Sequence, residues 1–315
     1  HNAGKMKEST QTKLSKLLWG VVLAPILILI CSLGLVSACA DIPSFEELEH
    51  PENKLATQVI ADGGELLTTY HLQNRSYASY EELGPYLVDA AVATEDVRFY
   101  RHSGIDFKSL GRVAVKTLML HNSSQGGGST ITQQLAKTLY PRAGMGRRIP
   151  GIYHAKMVWI KLKEWITAVK LERDYTKDEI MTMYLNSIFF GSGAYGVRAA
   201  SETFFGKQPS ELTIEESAML VGMVNKPTRY NPALNPDKAL VRRNFVIGQM
   251  EKAGYFDDQA KAAGVKTTAF RDSIRQIPIE LNYQVQDHNS GHAPYFRDMV
   301  RRVMSAKKPK RSSYS

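Results

Sequence analysis

Cysteine is almost absent from the 315 residues: there are two, Cys31 and Cys39, and both sit in one apolar stretch near the N-terminus. A disulfide framework and a cysteine-ligated metal site are therefore excluded from everything after residue 40, and burial of apolar side chains has to hold that part together. Internal repeats are missing as well, which excludes a solenoid or a propeller. Basic excess is missing from the middle of the chain. The formal charge is +9, but Lys5, Lys7, Lys13 and Lys16 stand against Glu8 in residues 1–16, and Arg301, Arg302, Lys307, Lys308, Lys310 and Arg311 meet no acid in residues 301–315. The stretch between is neutral. A nucleic-acid binder carries its basic excess on the folded domain, so no nucleic-acid partner is expected, and a charged membrane surface suits the two ends better. At 43% hydrophobic the composition is that of one or two globular domains, not of a disordered or fibrous chain.

What is present begins with Leu17–Ala40, which has no charged residue and is long enough for a tilted bilayer-spanning helix. The lysines before it place residues 1–16 in the cytoplasm and send everything from Asp41 outside. Val36-Ser37-Ala38-Cys39 also resembles a lipoprotein cleavage box, and Ala38-Cys39-Ala40 a signal-peptidase site. Retention, cleavage and lipidation all leave the rest on the same side. Residues 41–80 read as a membrane-proximal linker with a β-hairpin, Ala56–Ala61 and Glu65–His71 flanking Asp62-Gly63-Gly64.

From Tyr80 onward the pattern is helical and no further strand is expected. Thr130 with Gln133, Thr176 with Glu179 and Thr213 with Glu216 fit capping boxes, Asn235-Pro236 fits a cap with a first-turn proline, and Gly206 and Gly254 fit C-terminal caps. The expectation is a mainly α domain over residues 81–265. Residues 266–315 form a C-terminal linker and basic tail, and Lys307–Ser315 is a serine-rich stretch expected to be disordered.

Three constellations carry chemistry. In the first, an apolar helix through Asp89-Ala90-Ala91-Val92-Ala93 ends in Glu95 and Asp96, followed by Phe99, His102 and Gly104. Partial burial and a like charge next door should raise the pKa of Glu95 and fit it to accept a proton; solvated charges past a helix end are the plain alternative. In the second, Gly126-Gly127-Gly128-Ser129 opens into a helix capped at Thr130, with Gln133, Gln134 and Lys137 behind. Such a loop favours a phosphate, or is simply flexible, and it lacks the Gly-Lys-Ser/Thr element of a nucleotide-binding loop. In the third, Trp159, Leu162, Trp165, Ile166 and Val169 form a helical core stripe edged by Lys156, Lys161, Lys163 and Glu164. Glu164 alone reads equally well as a helical partner for a lysine.

In order and spacing these residues resemble the peptidoglycan glycosyltransferases, glycosyltransferase family 51, found in class A penicillin-binding proteins and monofunctional transglycosylases. Glu95-Asp96-x-x-Phe99-x-x-His102-x-Gly104 resembles the first family motif and Gly128-Ser129-Thr130-Ile131-Thr132-Gln133-Gln134 the second. Lys161-x-x-Glu164 is similar to the third, with Ile160 where Arg is usual. Lys177 to Asn186 is similar to the fourth, with Thr182 for Glu, and Arg242-Arg243-Asn244-Phe245-Val246-Ile247 to the fifth, with Ile for Leu.

The resemblance implies a lysozyme-like α domain with a cleft near the membrane, anchored by one span in the bacterial inner membrane with its catalytic part outside. It implies inverting polymerisation of lipid II. Glu95 would be the base, and Glu164 with Lys137, Lys156 and Lys161 would act at the diphosphate. Asp96, Phe99, His102, Gly104, Gly128, Ser129, Thr130, Gln133 and Gln134 would line the substrate site. No cofactor is required by this reading, which leaves open a divalent cation, Mg2+ or Mn2+, at Glu164. The implied partners are lipid II, the growing glycan strand, the membrane and other cell-wall synthesis proteins. A glycan-cleaving enzyme of the same fold and a non-catalytic scaffold are the rivals. The only Ser-x-x-Lys tetrad of the kind a transpeptidase uses, Ser305-Ala306-Lys307-Lys308, has no partner motif after it and reads as coincidence. Either a monofunctional enzyme or a piece of a bifunctional one fits.

Overall fold

The computed structural model describes residues 57–60, 66–70, 77–120, 128–139 and 152–284, with Cys31 and Gly34 as isolated positions. The span expected at 17–40, apart from those two positions, and the tail beyond 284 lie outside the described residues. Among the described residues no helix is long and apolar enough to cross a membrane. The elements in chain order are β1 (Thr57–Ile60), β2 (Leu66–Tyr70), α1 (Pro85–Glu95), α2 (Phe107–Leu120), α3 (Ile131–Leu139), α4 (Ile152–Asp174) and α5 (Lys177–Ser187). There follow β3 (Phe189–Gly191), β4 (Ala194–Tyr195), α6 (Val197–Phe205), α7 (Ile214–Val224), α8 (Pro236–Lys252), α9 (Asp257–Ala262) and α10 (Thr267–Gln276). The described residues divide into two compact units, the first with 101–120, 128–139 and 152–176, the second with 57–60, 66–70, 77–100 and 177–284.

In the second unit α1, α7 and α8 pack on one another. α1 is apolar nearly all round, burying Leu87, Val88, Ala90, Ala91, Val92 and Ala93, and its alanines let neighbouring helices approach closely. Pro85 opens it in the first turn, after Gly84, whose φ of +72° only glycine adopts readily. It closes at Asp96, which leaves helical geometry (φ −157°) while its N–H still donates to the Val92 carbonyl at 3.1 Å. Glu95 therefore sits where the helix ends.

The last two motifs work as staples here. The carboxamide of Asn186 accepts from the Ala78 N–H (2.9 Å) and donates to the Ala78 carbonyl (2.8 Å), tying α5 to the segment that leads into α1. Thr182, where the family usually has Glu, is buried, and its hydroxyl donates to the Asp178 carbonyl at 2.7 Å within the same helix, so the substitution leaves no buried polar atom unsatisfied. Arg243 is 1% exposed, and its guanidinium donates to the carbonyls of Arg275 and Ile277, each at 2.8 Å, joining α8 to the end of α10. Arg243→Met should keep the packing but leave both carbonyls unpaired. We expect a loss of about 3 kcal/mol by urea denaturation, and Arg243→Lys should recover little of it, because a single ammonium cannot span both acceptors.

Mainly α architecture and the hairpin of β1 with β2 agree with expectation, with a register irregularity between Val59 and Ile60. The expected end of strand content after that hairpin is corrected: β3 and β4 form a second antiparallel pair. It turns through Gly191, Ser192 and Gly193, all at positive φ, and Ser192 Oγ is held there by the Asn231 amide at 2.9 Å and the Tyr283 hydroxyl at 2.8 Å. The capping box of Thr213 with Glu216 is present in full, and Gly206 takes the left-handed C-cap. Asn235 precedes the proline of α8, but its side chain donates to the Thr228 carbonyl at 3.2 Å and makes no cap bond.

Candidate active site

The residues singled out in the sequence fall in both units. In the second unit the end of α1 presents Glu95, half-buried, beside Asp96, which is 7% exposed. A short 3-10 turn, Phe99–Arg101, follows, with Phe99 fully buried and its N–H on the Asp96 carbonyl at 2.9 Å. Beneath them lies Tyr184 of α5, 2% exposed, whose phenol is pushed well above its ordinary pKa by burial and then by the charges of Glu95 and Asp96. Tyr184 therefore keeps its proton at any working pH. The fourth motif was legible in the sequence, but not the role of its tyrosine. The spacing Ile180, Met181, Tyr184, Leu185 signals only that Tyr184 is buried.

Asp89, one and a half turns before Glu95 on α1, is half-buried, and burial lifts its pKa to about 6. Its folded pKa lies above the unfolded value of 3.8, so the folded state binds the proton more tightly. Stability should therefore fall as pH rises from about 4 through about 6. Asp89→Asn should melt like the parent at pH 4 and above it at pH 7. The gain is on the order of 1 kcal/mol, reduced from the full shift because solvent screens a half-exposed group. Equal melting temperatures at pH 7 would contradict this.

In the first unit α3 packs on α4, and the second motif is stapled to the end of the first. The Gly104 carbonyl accepts from Thr130 Oγ1 at 2.7 Å and from Gln133 Nε2 at 3.0 Å. Thr130 Oγ1 in turn accepts from the Gln133 N–H at 3.2 Å, so the N-terminal cap is made, but the reciprocal half of the expected box is not: the Gln133 side chain reaches Gly104 instead. Gly104 has φ +84°, and a Cβ there would stand 2.9 Å from the Ala168 backbone of α4. Gly104→Ala should thus cost more than ~2 kcal/mol in thermal or urea unfolding, combining backbone strain with overpacking.

Glu164 of α4 is 6% exposed, and its carboxylate pairs with Lys161 Nζ at 2.6 Å. The same Nζ lies 3.4 Å from Ser129 Oγ, so the third motif reaches the loop of the second. Thr132 is buried and donates to Glu172 at 2.5 Å, a second tie between α3 and α4 that the sequence did not reveal. Gly128, Gln134 and His102 are half-buried; Lys137 and Lys156 are exposed. Lys156 stands eight residues before Glu164 on α4, a rise of about 12 Å. Ile160, where the family usually has Arg, is half-buried and uncharged, so Lys161 is the cation that meets Glu164. Among the described residues no three His, Cys, Asp or Glu side chains converge on one point as a metal site.

Residues 63–251, more than half of the chain, match the family model described as Transglycosylase. Penicillin-binding protein 1F of Bacillus subtilis is 38% identical over 200 residues, covering 64% of this chain and 26% of its own length. Penicillin-binding protein 1A of Aquifex aeolicus is 35% identical over 267 residues, covering 85% of this chain and 33% of its own. A crystal structure of penicillin-binding protein 1A from Haemophilus influenzae aligns with a TM-score of 0.43 and 21% identity, over 82% of this chain and 25% of that one. The chain thus spans about a quarter to a third of the length of these relatives.

Proposed function

Because the chain belongs to the transglycosylase family, we propose that it polymerises lipid II into β-1,4-linked glycan strands at the outer face of the bacterial inner membrane. On this reading a lysozyme-like catalytic domain spans residues 81–265, residues 17–40 anchor it, and the growing strand remains lipid-linked. The observation that carries the chemistry is the carboxylate of Glu95, half-buried at the end of an otherwise apolar helix with Asp96 and Tyr184 buried beside it.

Transfer from an α-linked diphosphate donor to a β-linked product inverts the anomeric carbon, which calls for direct displacement. Glu95 accepts the proton of the acceptor 4-hydroxyl as that oxygen bonds to the donor's anomeric carbon. The bond from that carbon to the diphosphate breaks, and undecaprenyl diphosphate leaves with the electron pair. Lys161, oriented by Glu164 and Ser129, meets the charge that develops on the leaving group. Lys137 and Lys156 add positive charge, and Thr130 and Gln133 fix the loop through Gly104. We also assign Asp96, Phe99, His102, Gly128 and Gln134 to substrate binding.

A divalent cation fits the residues present in one way. Mg2+ is commonly held by one or two carboxylates plus substrate phosphates, and Glu164 offers one carboxylate. Such a cation would add to the charge that Lys161 supplies at the diphosphate.

Incubation with lipid II separates the readings by product. Long uncrosslinked glycan on a gel supports the proposal, release of fragments from preformed glycan indicates a lytic enzyme, and no product from a folded protein indicates a scaffold.

A further inference from the structure

The fourth motif opens at Lys177, the first residue of α5, and none of the chemistry assigned to the carboxylates or to the diphosphate uses it. Its place breaks a local rule: the start of a helix favours acidic side chains, here Asp178 and Glu179, and disfavours a cation. A residue that goes against its own helix is placed by the tertiary fold. Lys177 is half-buried, and its Nζ stands 4.3 Å from the centre of the Phe99 ring, a cation–π contact with a side chain that is fully buried. Phe99 also meets Tyr100 edge to face, their centroids 5.1 Å apart, so the two aromatic residues of the short turn pack on each other. Tyr184 follows Lys177 by seven residues, about two turns, so one face of α5 carries both the cation against Phe99 and the buried phenol that feels the charges of Glu95 and Asp96.

The ring that Lys177 meets belongs to the turn that follows Glu95 and Asp96. Backbone bonds tie this turn to the end of α1: the Asp96 N–H donates to the Val92 carbonyl at 3.1 Å and the Phe99 N–H to the Asp96 carbonyl at 2.9 Å. Where Phe99 stands therefore limits where the last residues of α1 stand. A helix end is otherwise free to fray, and α1 ends at Glu95 itself. We propose that Lys177 is a positioning residue, whose ammonium on the Phe99 ring holds the turn after α1 and so fixes where the Glu95 carboxylate stands. The charge is what counts, because the ring face attracts a cation and not a neutral chain of similar length. The inference rests on the assignment of Glu95 as the base.

The test is Lys177→Met in the full chain, which keeps an unbranched apolar stem and removes the ammonium, read by lipid II polymerisation and by hydrogen exchange over residues 97–101. Small misplacement of a catalytic group costs rate more than binding, so kcat should fall by about tenfold with KM within about twofold, and exchange over the turn should quicken. Lys177→Arg, which keeps a cation for the ring, should recover most of the rate. On a Phe99→Leu background, where the ring is already gone, Lys177→Met should cost little more. The pH–rate profile separates position from field. A cation acting on the carboxylates through its charge would, once removed, raise their pKa and move the acid limb upward, whereas loss of a positioning contact lowers the profile and leaves that limb in place. A shifted limb, a parental kcat, an equal loss with and without the Phe99 ring, or a kcat that only follows a lowered melting temperature each overturns the proposal. Glu95→Gln in the same assay keeps the two ideas apart. If it is dead while Lys177→Met is parental, only the role of Lys177 fails. If it is active, the base assignment fails, and exchange over residues 97–101 alone decides whether Lys177 holds the turn.

Discussion

Glu95→Gln should polymerise lipid II at least ~10²-fold more slowly than the parent, the usual scale for loss of a general base. Glutamine keeps the length and the hydrogen-bonding oxygen of the side chain but cannot take up the acceptor's proton. Donor binding should survive, because the groups assigned to the diphosphate lie on α3, α4 and the loop before α3. The fold should survive as well. Glu95 is only half-buried, and in the variant Tyr184 faces one charge instead of two, so removing the negative charge relieves the site. Asp96→Asn is the informative neighbour: Asp96 is more deeply buried, so exchanging its carboxylate for an amide should disturb the melt as well as the rate. A folded Glu95→Gln protein that polymerises at near-parental rate would falsify the assignment of the base and the mechanism built on it.

The sequence made helices legible wherever an apolar period met a cap with few options. Thr213 and Glu216 form the box their spacing announces, and Gly206 and Gly254 take the positive φ that few other residues tolerate. β3 and β4 were not legible because they are three and two residues long. Their signal lies in a Gly-Ser-Gly turn in which Ser192 adopts φ +51° through contacts with Asn231 and Tyr283, neither adjacent in sequence. The site shows the same division. Which residues were singled out followed from ordered motifs, whereas how they meet depends on contacts that spacing does not encode. Gln133 was expected to close its own helix cap and instead bonds to Gly104, 29 residues earlier. Arg243, part of a recognised motif, serves backbone carbonyls more than 30 residues later.

Glu164→Gln should slow turnover by between about 10-fold and 10²-fold, and for a different reason from the loss at Glu95. In the parent the Glu164 carboxylate holds Lys161 Nζ at 2.6 Å while that ammonium also approaches Ser129 Oγ at 3.4 Å. Glutamine can still accept a hydrogen bond from Lys161 but no longer offers a charge, so the ammonium should wander and the diphosphate should meet a less ordered cation. Stability should change little, because Lys161 is 39% exposed and can be solvated once its partner is neutral. If Glu164 also holds a divalent cation against the diphosphate, the defect should vary with the concentration of Mg2+ or Mn2+, since excess cation can reach the phosphates without it. The Glu95→Gln defect should show no such dependence, because a missing proton acceptor is not replaced by a cation. Lys161→Met separates the two roles left to Glu164. If the carboxylate acts only by orienting Lys161, then Lys161→Met and Glu164→Gln should lose the same factor, cation titration should leave both flat, and combining them should cost no more than either alone.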